Sequence, residues 1–464
     1  MKEGRKHSSR IGENCREPTV FDASGSPRTS GLGEGTVMPY PRMRRIKQLF
    51  ETAPPMIDIP MTVRQTLERL RLSSEIKRGE TVAITAGSRG IANITVIMRT
   101  VVEELKAIGA VPFIIPAMGS HGGATSEGQL EILRQHGITE ENVGVPIRSS
   151  MEVVQIGETL GFPAYLDKIA WEADHIALVV RIKPHTDFKA EIESGFCKMM
   201  AVGLGKHKGA AACHHAFVRH GYQKVLENVG REVLKTGKVA FGVGVVENAY
   251  EQTAIVEAVL PSEMEQKDKH LLSQAKRWMM KLPFDQIDVL IVDEMGKNIS
   301  GDGMDTNVIG RFIQASDAAS GPKIDKIVAL DLTEESRGNA VGIGRADFTT
   351  KRLVEKIDRH ATYVNALTFL DPGSAKIPPY FDTDREAIDA ALSTVGMIEA
   401  GAPKLVRIKN TLDLSEVEVS DACVPSLKKR NDLLQLSEPE ELEFGRDGNL
   451  LPLKPRKNEI VASN

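Results

Sequence analysis

The sequence predicts an α/β protein of two domains, with mostly parallel sheets and an active site in the cleft between the domains. The chain has 464 residues, more than one hydrophobic core usually supports, so two domains are expected. Short β-rich runs alternate with helical patterns, which is typical of parallel strands joined by helices. Polar, glycine-rich stretches follow several predicted strands, where open α/β sheets place their ligand sites.

The first half of the chain alternates predicted strands with predicted helices. Apolar residues at helical spacing predict a helix over NITVIMRTVVEELKAIGA, with Asn93 as its candidate N-cap and Gly109 at its end. A second helix is predicted over TSEGQLEILRQHG, capped by Thr125 or Ser126. Short runs rich in β-branched residues predict the strands TVAITA (81–86), VPFIIPA (111–117) and HIALVVRI (175–182).

The second half repeats the alternation around one long helix, SEMEQKDKHLLSQAKRWMMKL. Strands are predicted over KVAFGVGVVE before this helix, and over QIDVLIVDEMG and KIDKIVALDL after it. The stretch KLPFDQ separates the helix from a fresh α/β unit, so we place a domain boundary near residues 280–285. The predicted division is a disordered extension over 1–42, an N-terminal domain over 43–283, a C-terminal α/β domain that closes the cleft over 284–436, and a polar tail over 437–464.

Composition favours a small-molecule partner. The formal net charge is −4 and the basic residues form no long block, so neither nucleic acid nor an anionic membrane surface is expected. Cysteines 15, 197, 213 and 423 form neither a disulfide framework nor a paired zinc motif, which fits a reducing cytoplasm.

The N-terminus is expected to be disordered and to carry no targeting signal. Residues 1 to about 40 have too few bulky apolar residues to offset the entropy of ordering. The charged stretch MKEGRKHSSRIGENCREP contains no apolar signal region, and we find no run of about 18 apolar residues in the sequence. Met38 and Met43 stand just before the first apolar pattern, so an over-extended start would explain this stretch.

Four polar clusters follow predicted strands: AGSRG, MGSHGGAT, KPHTDF and EMGKNISGDGMD. Glycine-rich turns that lead into helices present backbone N–H groups to anions, although MGSHGGAT fits a plain capped turn equally well. Arg89 adds a guanidinium that can clamp a phosphate or carboxylate. His121 and His185 each lie in such a loop, where an imidazole suits proton transfer near neutral pH. An isolated histidine would be structural, but two histidines after neighbouring strands favour acid–base chemistry.

Five of the eleven histidines fall between His185 and His220, around Lys198 in SGFCKMM. This lysine either extends its ammonium to solvent over an apolar surface or is partly desolvated, with a lowered pKa that suits covalent attachment. Candidate metal ligands are His207, His214 and His215. Adjacent residues point to different faces of a helix or strand, so at most one of the last two serves one centre.

These elements together resemble the nickel-pincer lactate racemases and their relatives of unassigned substrate. The resemblance covers roughly residues 45 to 430 and is strongest from Ala86 to His215. It rests on an ordered set of motifs: SRG with Arg89, GSHGG with His121, KPHTDF with His185, SGFCK with Lys198, and AACHHAF with His214.

The resemblance implies a nickel-pincer nucleotide, a pyridinium-3,5-bisthiocarboxylic acid mononucleotide, tethered through Lys198 with His214 as the nickel ligand. His121 and His185 would flank the carbinol of a 2-hydroxy acid, one removing the hydroxyl proton while hydride passes to the cofactor, the other acting when hydride returns to the opposite face. It also implies the enzymes that build the cofactor as partners. Further contacts implied are Ser88, Arg89, Gly119, Ser194 and Gly195 to the cofactor, and Glu294 and Lys297 to the substrate.

Two departures from the racemase pattern favour a hydroxy acid other than lactate. An Asp-x-Thr-Arg pattern of that family reads Ala86-Gly87-Ser88-Arg89 here, and the spacing from His185 to Lys198 is about three residues longer, taken up by KAEIE. We expect the acidic residues of this segment, Asp187, Glu191 and Glu193, to select substrate or to form a solvated turn.

Two alternative functions stay open. The protein could bind a nickel or nucleotide cofactor without turnover, which explains the glycine-rich loops but leaves His121 and His185 without a role. A zinc hydrolase would use His185, His207 and His214, although the sequence has no H-E-x-x-H motif or similarly tight ligand set.

Overall fold

Two mixed sheets and one hairpin make up the β-structure of the protein, seen in a computed structural model that describes residues 40–312, 321–396, 403–427 and 430–453. The strands, in chain order, are β1 Met43–Gln48, β2 Thr81–Ala86, β3 Val111–Pro116, β4 Val153–Thr159, β5 Phe162–Asp167, β6 His175–Arg181, β7 Val239–Glu247, β8 Thr253–Val259, β9 Gln286–Val292, β10 Lys323–Ala329, β11 Phe348–Thr350, β12 Tyr380–Phe381, β13 Leu405–Ile408, β14 Glu416–Ser420 and β15 Leu433–Gln435.

Helices connect most of these strands. They are α1 Ile59–Glu68, α2 Ile94–Ala107, α3 Ser126–Gln135, α4 Glu140–Val143, α5 Lys168–Glu172, α6 Phe196–Lys198, a π-helical turn Met199–Gly203, α7 Lys206–His220, α8 Tyr222–Lys235, α9 Met264–Trp278, α10 Thr306–Ile309, α11 Lys351–Glu355, α12 Arg359–Thr368, α13 Asp384–Thr394 and α14 Val424–Leu427. Short 3₁₀ turns are Leu72–Ser74, Gly122–Ala124, Pro261–Glu263, Glu334–Ser336, Ile343–Arg345, Pro372–Ala375 and Asp421–Cys423.

The five-stranded sheet has the order β3-β2-β6-β7-β8. Its first four strands are parallel and β8 runs antiparallel to β7. The apolar runs that predicted β2, β3, β6 and β7 are buried almost throughout, because helices cover both faces of a parallel sheet. The carboxyl ends of four neighbouring strands therefore point to one edge.

The eight-stranded sheet has the order β12-β11-β10-β9-β13-β14-β1-β15. Strands β12 to β13 are parallel, and β14, β1 and β15 are added antiparallel. The α/β class with mostly parallel strands is thus confirmed. One assignment needs correction: residues 43–48, expected in the N-terminal domain, pair with β14 and β15 of the C-terminal half. The rest of the predicted domain division stays a prediction.

The predicted polar tail from residue 437 is also tied to this second sheet over its described part. Glu440 exchanges backbone hydrogen bonds with Met43, and the Leu450 N–H donates to the buried carboxylate of Asp384. The start of α2 departs from expectation as well. Asn93 occupies the N-cap position but makes no side-chain cap, because its amide donates to Thr253 instead. Thr125 does cap α3, by accepting from the Gly128 N–H.

Hydrophobic clusters pack on the two faces of the five-stranded sheet and against the eight-stranded sheet. No helix among the described residues is both long enough and apolar enough to cross a membrane.

Candidate functional site

A cavity of about 1190 Å³ lies where the two sheets present the loops after their strands. Its walls come from the segments that follow β2, β3 and β6 in the five-stranded sheet, and β9 and β10 in the eight-stranded sheet. The position agrees with the rule that α/β proteins bind ligands at the carboxyl ends of their strands. The predicted site residues that line the cavity are Ser88, Arg89, His121, His185, Ser194, Gly195, Lys198, His214 and Lys297.

Two predicted site residues do not line the cavity. Gly119 is buried behind it, where its N–H donates to the Gly203 carbonyl. Glu294 accepts a hydrogen bond of 2.8 Å from the Asn410 side chain. The carboxylate of Glu294 is thus engaged within the eight-stranded sheet region, and its predicted contact with a substrate is not supported by its position.

His121 follows β3 and is held by its ring Nδ1, which lies 2.7 Å from the Met118 carbonyl oxygen. A carbonyl oxygen only accepts, so Nδ1 carries the proton and Nε2 keeps its lone pair. Burial, together with the positive charge of Arg89, lowers the pKa of His121 to about 3. The ring is therefore neutral near pH 7 and offers Nε2 as a base.

The loop that carries His121 needs glycine at its turn. Gly122 has φ +67°, and a Cβ there would lie 2.5 Å from the Gly128 carbonyl carbon in α3. A left-handed conformation and a close backbone approach both exclude other residues. The motif GSHGG therefore forms a tight connection between β3 and α3, with Gln129 of α3 donating to the Gly119 and His121 carbonyls at 2.9 and 3.3 Å.

A fully buried lysine supports this loop from behind. The Lys206 ammonium donates to the Pro116 carbonyl at 2.6 Å and to the Gln129 side chain at 2.9 Å, and it lies 3.2 Å from the Asp167 carboxylate. Burial lowers the pKa of Lys206 and raises that of Asp167, while their mutual attraction opposes both shifts. Nothing in the stretch GLGKHKG indicates that its first lysine, Lys206, is buried.

His185 follows β6, and its Nδ1 accepts the Asp187 backbone N–H at 3.0 Å. The neutral ring therefore carries its proton on Nε2, the opposite tautomer to His121. Burial, assisted by the charge of Lys198, lowers the pKa of His185 to about 3. The two predicted acid–base residues thus present one ring nitrogen that accepts and one that donates.

The segment after His185 is not a solvated turn throughout. Glu193 is 1% exposed and accepts the backbone N–H groups of His185 at 2.6 Å and Ala190 at 2.9 Å, while it pairs with Lys276 of α9 at 2.6 Å. Asp187 lines the cavity. Burial would raise its pKa, but His185 in its protonated form, Lys198 and the Thr186 hydroxyl hold it below its usual range. Glu191 alone of the three acids is largely exposed.

Lys198 ends α6, whose first turn is capped by a buried carboxylate. Asp268 of α9 accepts the Phe196 and Cys197 backbone N–H groups, both at 2.8 Å. Burial raises the pKa of Asp268 to about 6. A Cβ on Gly195 would lie 2.1 Å from this carboxylate, so the SGFCK motif requires glycine for close approach. Burial lowers the pKa of Lys198 to about 8, which favours the desolvated interpretation of this lysine.

His214 lies on the cavity face of α7 with Ala210 and Phe217, while His207 and His215 are exposed. Burial lowers the pKa of His214 to about 4, so the ring is neutral near pH 7, as a metal ligand requires. The three histidines of the zinc hypothesis are therefore not brought together. Within the described ranges, no group of three or more His, Cys, Asp or Glu residues is arranged to hold a metal ion.

The eight-stranded sheet contributes Lys297 to the cavity. Its ammonium donates to the Asn365 side chain at 2.8 Å and to the Gly301 carbonyl. Burial and the charge of Arg89 lower the pKa of Lys297 to about 7. Arg89 donates to the Lys297 carbonyl at 3.0 Å, and burial lowers its pKa to about 10. The hydrogen bonds of both side chains go to neutral oxygen acceptors.

A further contact joins the two sheets at His185. The Asn307 side chain donates to the His185 carbonyl at 3.0 Å, and the Thr306 hydroxyl donates to the Thr186 carbonyl. Sequence reasoning did not find Asn307 or Asn365, since neither stands in a motif. The GDGMD turn, which ends two residues before Asn307, is the nearest sequence feature that could have pointed to that residue.

Residues 48–225 match a family model described as the lactate racemase N-terminal domain. This segment is thus similar to a lactate racemase N-terminal domain. The matched range includes Arg89, His121, His185, Lys198 and His214. The matched segment supplies one wall of the cavity, and Lys297 on the other wall lies beyond the match. No curated protein sequence matches the chain significantly.

Two solved structures are similar to a larger part of the chain than the family model matches. One is the lactate racemase apoprotein from Thermoanaerobacterium thermosaccharolyticum, with 16% sequence identity and a TM-score of 0.48, covering 77% of this chain and 92% of that one. The other is a protein from Thermotoga maritima determined by the Northeast Structural Genomics Consortium, with 12% identity and the same TM-score, covering 77% and 98% of the two chains.

Proposed function

We propose that the protein is a racemase or epimerase that inverts the carbinol carbon of a 2-hydroxy acid. The observation that carries the proposal is that two histidines line one cavity: His121, whose Nε2 lone pair can accept a proton, and His185, which would donate one from its imidazolium form. Inversion at a carbinol needs a group that removes the hydroxyl proton and a group that returns one. The racemase-type function of the matched domain supports the same conclusion.

Arg89 and Lys297 would bind the substrate carboxylate. Both cations line the cavity, and the hydrogen bonds that hold them go to the Lys297 carbonyl, the Gly301 carbonyl and the Asn365 amide oxygen. Burial of a cation is costly, and Asp187, with Asp302 near Lys297, offsets part of that cost; an incoming carboxylate would interact with both cations at once. Because they come from the two halves of the chain, we propose that the C-terminal half closes over the bound acid.

The cavity also fits a nickel-pincer nucleotide. Its volume of about 1190 Å³ exceeds the roughly 300–1,000 Å³ of ordinary ligand pockets, which leaves space for a cofactor beside a small acid. Lys198, with its lowered pKa, would tether it, and His214 would bind the nickel. Ser88, Ser194 and Gly195 are further candidates for contacts. Such a group, when bound, supplies a reversible acceptor for the carbinol hydrogen.

The chain's own residues handle the protons. His121 Nε2 would accept the hydroxyl proton as the carbinol becomes a carbonyl, and the Met118 carbonyl stabilises the imidazolium that forms. His185 would act from the other side. Its proton-donating form is also an imidazolium, and the Asp187 carboxylate, 3.8 Å from its Nδ1, supplies the compensating charge. We further propose that the protein works in the cytoplasm beside the enzymes that build the cofactor.

The test is a screen of D- and L-2-hydroxy acids in deuterated water, with protein produced together with the cofactor-building enzymes. We expect inversion with retention of the carbinol hydrogen, loss of inversion in His121→Ala and His185→Ala, and normal rates in the matched control His215→Ala. A cofactor-loaded protein that binds hydroxy acids but inverts none would instead support the alternative of a non-catalytic cofactor-binding protein. Absence of nickel and of a visible chromophore would reject both.

A further inference from the structure

A continuous chain of aromatic rings connects His185 to His214 along the cavity wall. His185 stacks on Phe188 with ring centroids 4.6 Å apart, and Phe188 stacks on Tyr222 at 4.1 Å with an angle of only 10° between the planes. Tyr222 stacks in turn on Phe217 at 4.5 Å, and Phe217 meets His214 edge-on at 5.4 Å. The proposed acid–base residue and the proposed nickel ligand thus share one ring stack.

The stack is assembled from three separate elements. Phe188 lies in the loop after β6, Phe217 is in the last turns of α7, and Tyr222 is the first residue of α8. Gly221, with φ +79°, lies between these two helices and returns the chain so that Tyr222 lies against Phe217. Tyr222 therefore contacts rings of both the His185 loop and the His214 helix.

Ring planes in such a stack constrain one another. Aromatic pairs have preferred offset-stacked or edge-on geometries. The orientation of the Tyr222 ring therefore restricts the orientations of the Phe188 and Phe217 rings. Phe188 in turn restricts the ring of His185, and Phe217 restricts the ring of His214. The hydrogen bond to Nδ1 fixes one edge of the His185 ring, but it leaves the tilt of the plane to the contact with Phe188. The tilt matters because a misplacement of about 1 Å at a reacting group can cost on the order of 100-fold in rate.

We propose that Tyr222 is a positioning residue that sets the ring orientations of His185 and His214 together, so that the acid–base group and the metal-binding group stay aligned. The ring orientation itself is a property of the folded chain. Its kinetic consequence rests on the proposed racemase function.

The first experiment uses the cofactor-free full-length protein with labelled histidines and follows the ring Cε1–H signals by NMR. His185→Gln and His214→Gln identify the two signals. Tyr222→Leu, which removes the ring but keeps an apolar side chain, is expected to shift or split both signals. Tyr222→Phe keeps the ring and is expected to leave both in place. The matched control is Tyr250→Leu, since Tyr250 packs on Phe50 at 5.7 Å and does not line the cavity.

Variants that remove one phenylalanine ring at a time test which ring positions which histidine. They also keep the proposal testable if Tyr222→Leu fails to fold. Phe188→Leu is expected to move the His185 signal alone, and Phe217→Leu the His214 signal alone. Unchanged signals for both histidines in Tyr222→Leu would overturn the proposal. So would equal effects of Tyr222→Phe and Tyr222→Leu, because the hydroxyl rather than the ring would then be responsible.

The second experiment measures turnover of whichever hydroxy acid the cofactor-loaded protein inverts. We expect kcat to fall about 10-fold or more in Tyr222→Leu with KM little changed, and rescue in Tyr222→Phe, since ring alignment matters in the transition state more than in binding. A change confined to KM would contradict the positioning role. If no hydroxy acid is inverted, the proposed function fails while the NMR result still decides the ring contact.

Discussion

Replacing Glu193 by alanine should destabilise the protein strongly, although the residue lies in an acidic segment that looks solvated in the sequence. The substitution leaves the His185 and Ala190 backbone N–H groups without their acceptor and removes the partner of Lys276. An orphaned buried donor costs about 1–3 kcal/mol; these two are partly buried, so together they cost at most about 2–6 kcal/mol. Lys276 is 38% exposed, so its lost ion pair adds little.

The assay is urea unfolding, with the free energy of unfolding compared between variants. Glu193→Gln keeps one carbonyl oxygen as an acceptor and should lose roughly half as much as Glu193→Ala. Glu191→Ala is the matched control, because that side chain is 70% exposed and pairs with the partly exposed Lys269; its effect should stay within about 0.5 kcal/mol. Equal stabilities of Glu193→Ala and Glu191→Ala would refute the anchoring role.

Two further predictions concern other buried groups. Lys206→Met should lower the free energy of unfolding by about 3–5 kcal/mol, because it leaves the Asp167 carboxylate buried without its cation; the exposed Lys208→Met is the control, and similar urea midpoints would contradict the prediction. The free energy of unfolding should also fall on acidification below pH 6.5, since the unfolded chain protonates histidines that the fold keeps neutral to a pKa of about 3. His121 and His185 should each contribute about 1 kcal/mol per pH unit to that slope, and His121→Gln/His185→Gln should flatten it.

The sequence predicted those parts of the fold that depend on local pattern. Strands β2, β3, β6, β7 and β9 are buried along most of their length and therefore appear as largely apolar runs, whereas β10 is buried only over its last three residues. The hairpin of β4 and β5 was missed, because β4 is only partly buried along its length and its sequence lacks such a run. Nothing near residues 43–48 indicates that their partners lie almost 400 residues further on.

In the candidate site too, the sequence predicted residues that stand in local motifs but not the distant residues that hold them in place. Arg89, His121, His185, Lys198 and His214 stand in loops and helices next to predicted strands, and the structure brings all five to one cavity. The side chains that hold these five residues in place could not be predicted from the sequence alone.

The supporting residues are charged, as surface residues usually are, and only the packing of distant elements buries them. Glu193 pairs with Lys276 of α9, and Lys206 pairs with Asp167 of β5. The Asp268 carboxylate lies against the backbone of Gly195. Sequence pattern reports which residue types follow a strand. It does not show which charged side chain will be buried by a segment that is distant in the sequence.

The place of β1 in the eight-stranded sheet limits how the protein can be divided. This strand lies between β14 and β15, so a fragment that begins at residue 284 lacks an interior strand and exposes two open edges in its place. The sheet is complete only when segments near both ends of the described chain have met, which makes it a contact of long sequence separation and slow to form. Expression of either half alone should therefore give an aggregation-prone product, whereas co-expression with a peptide spanning β1 should restore the missing strand.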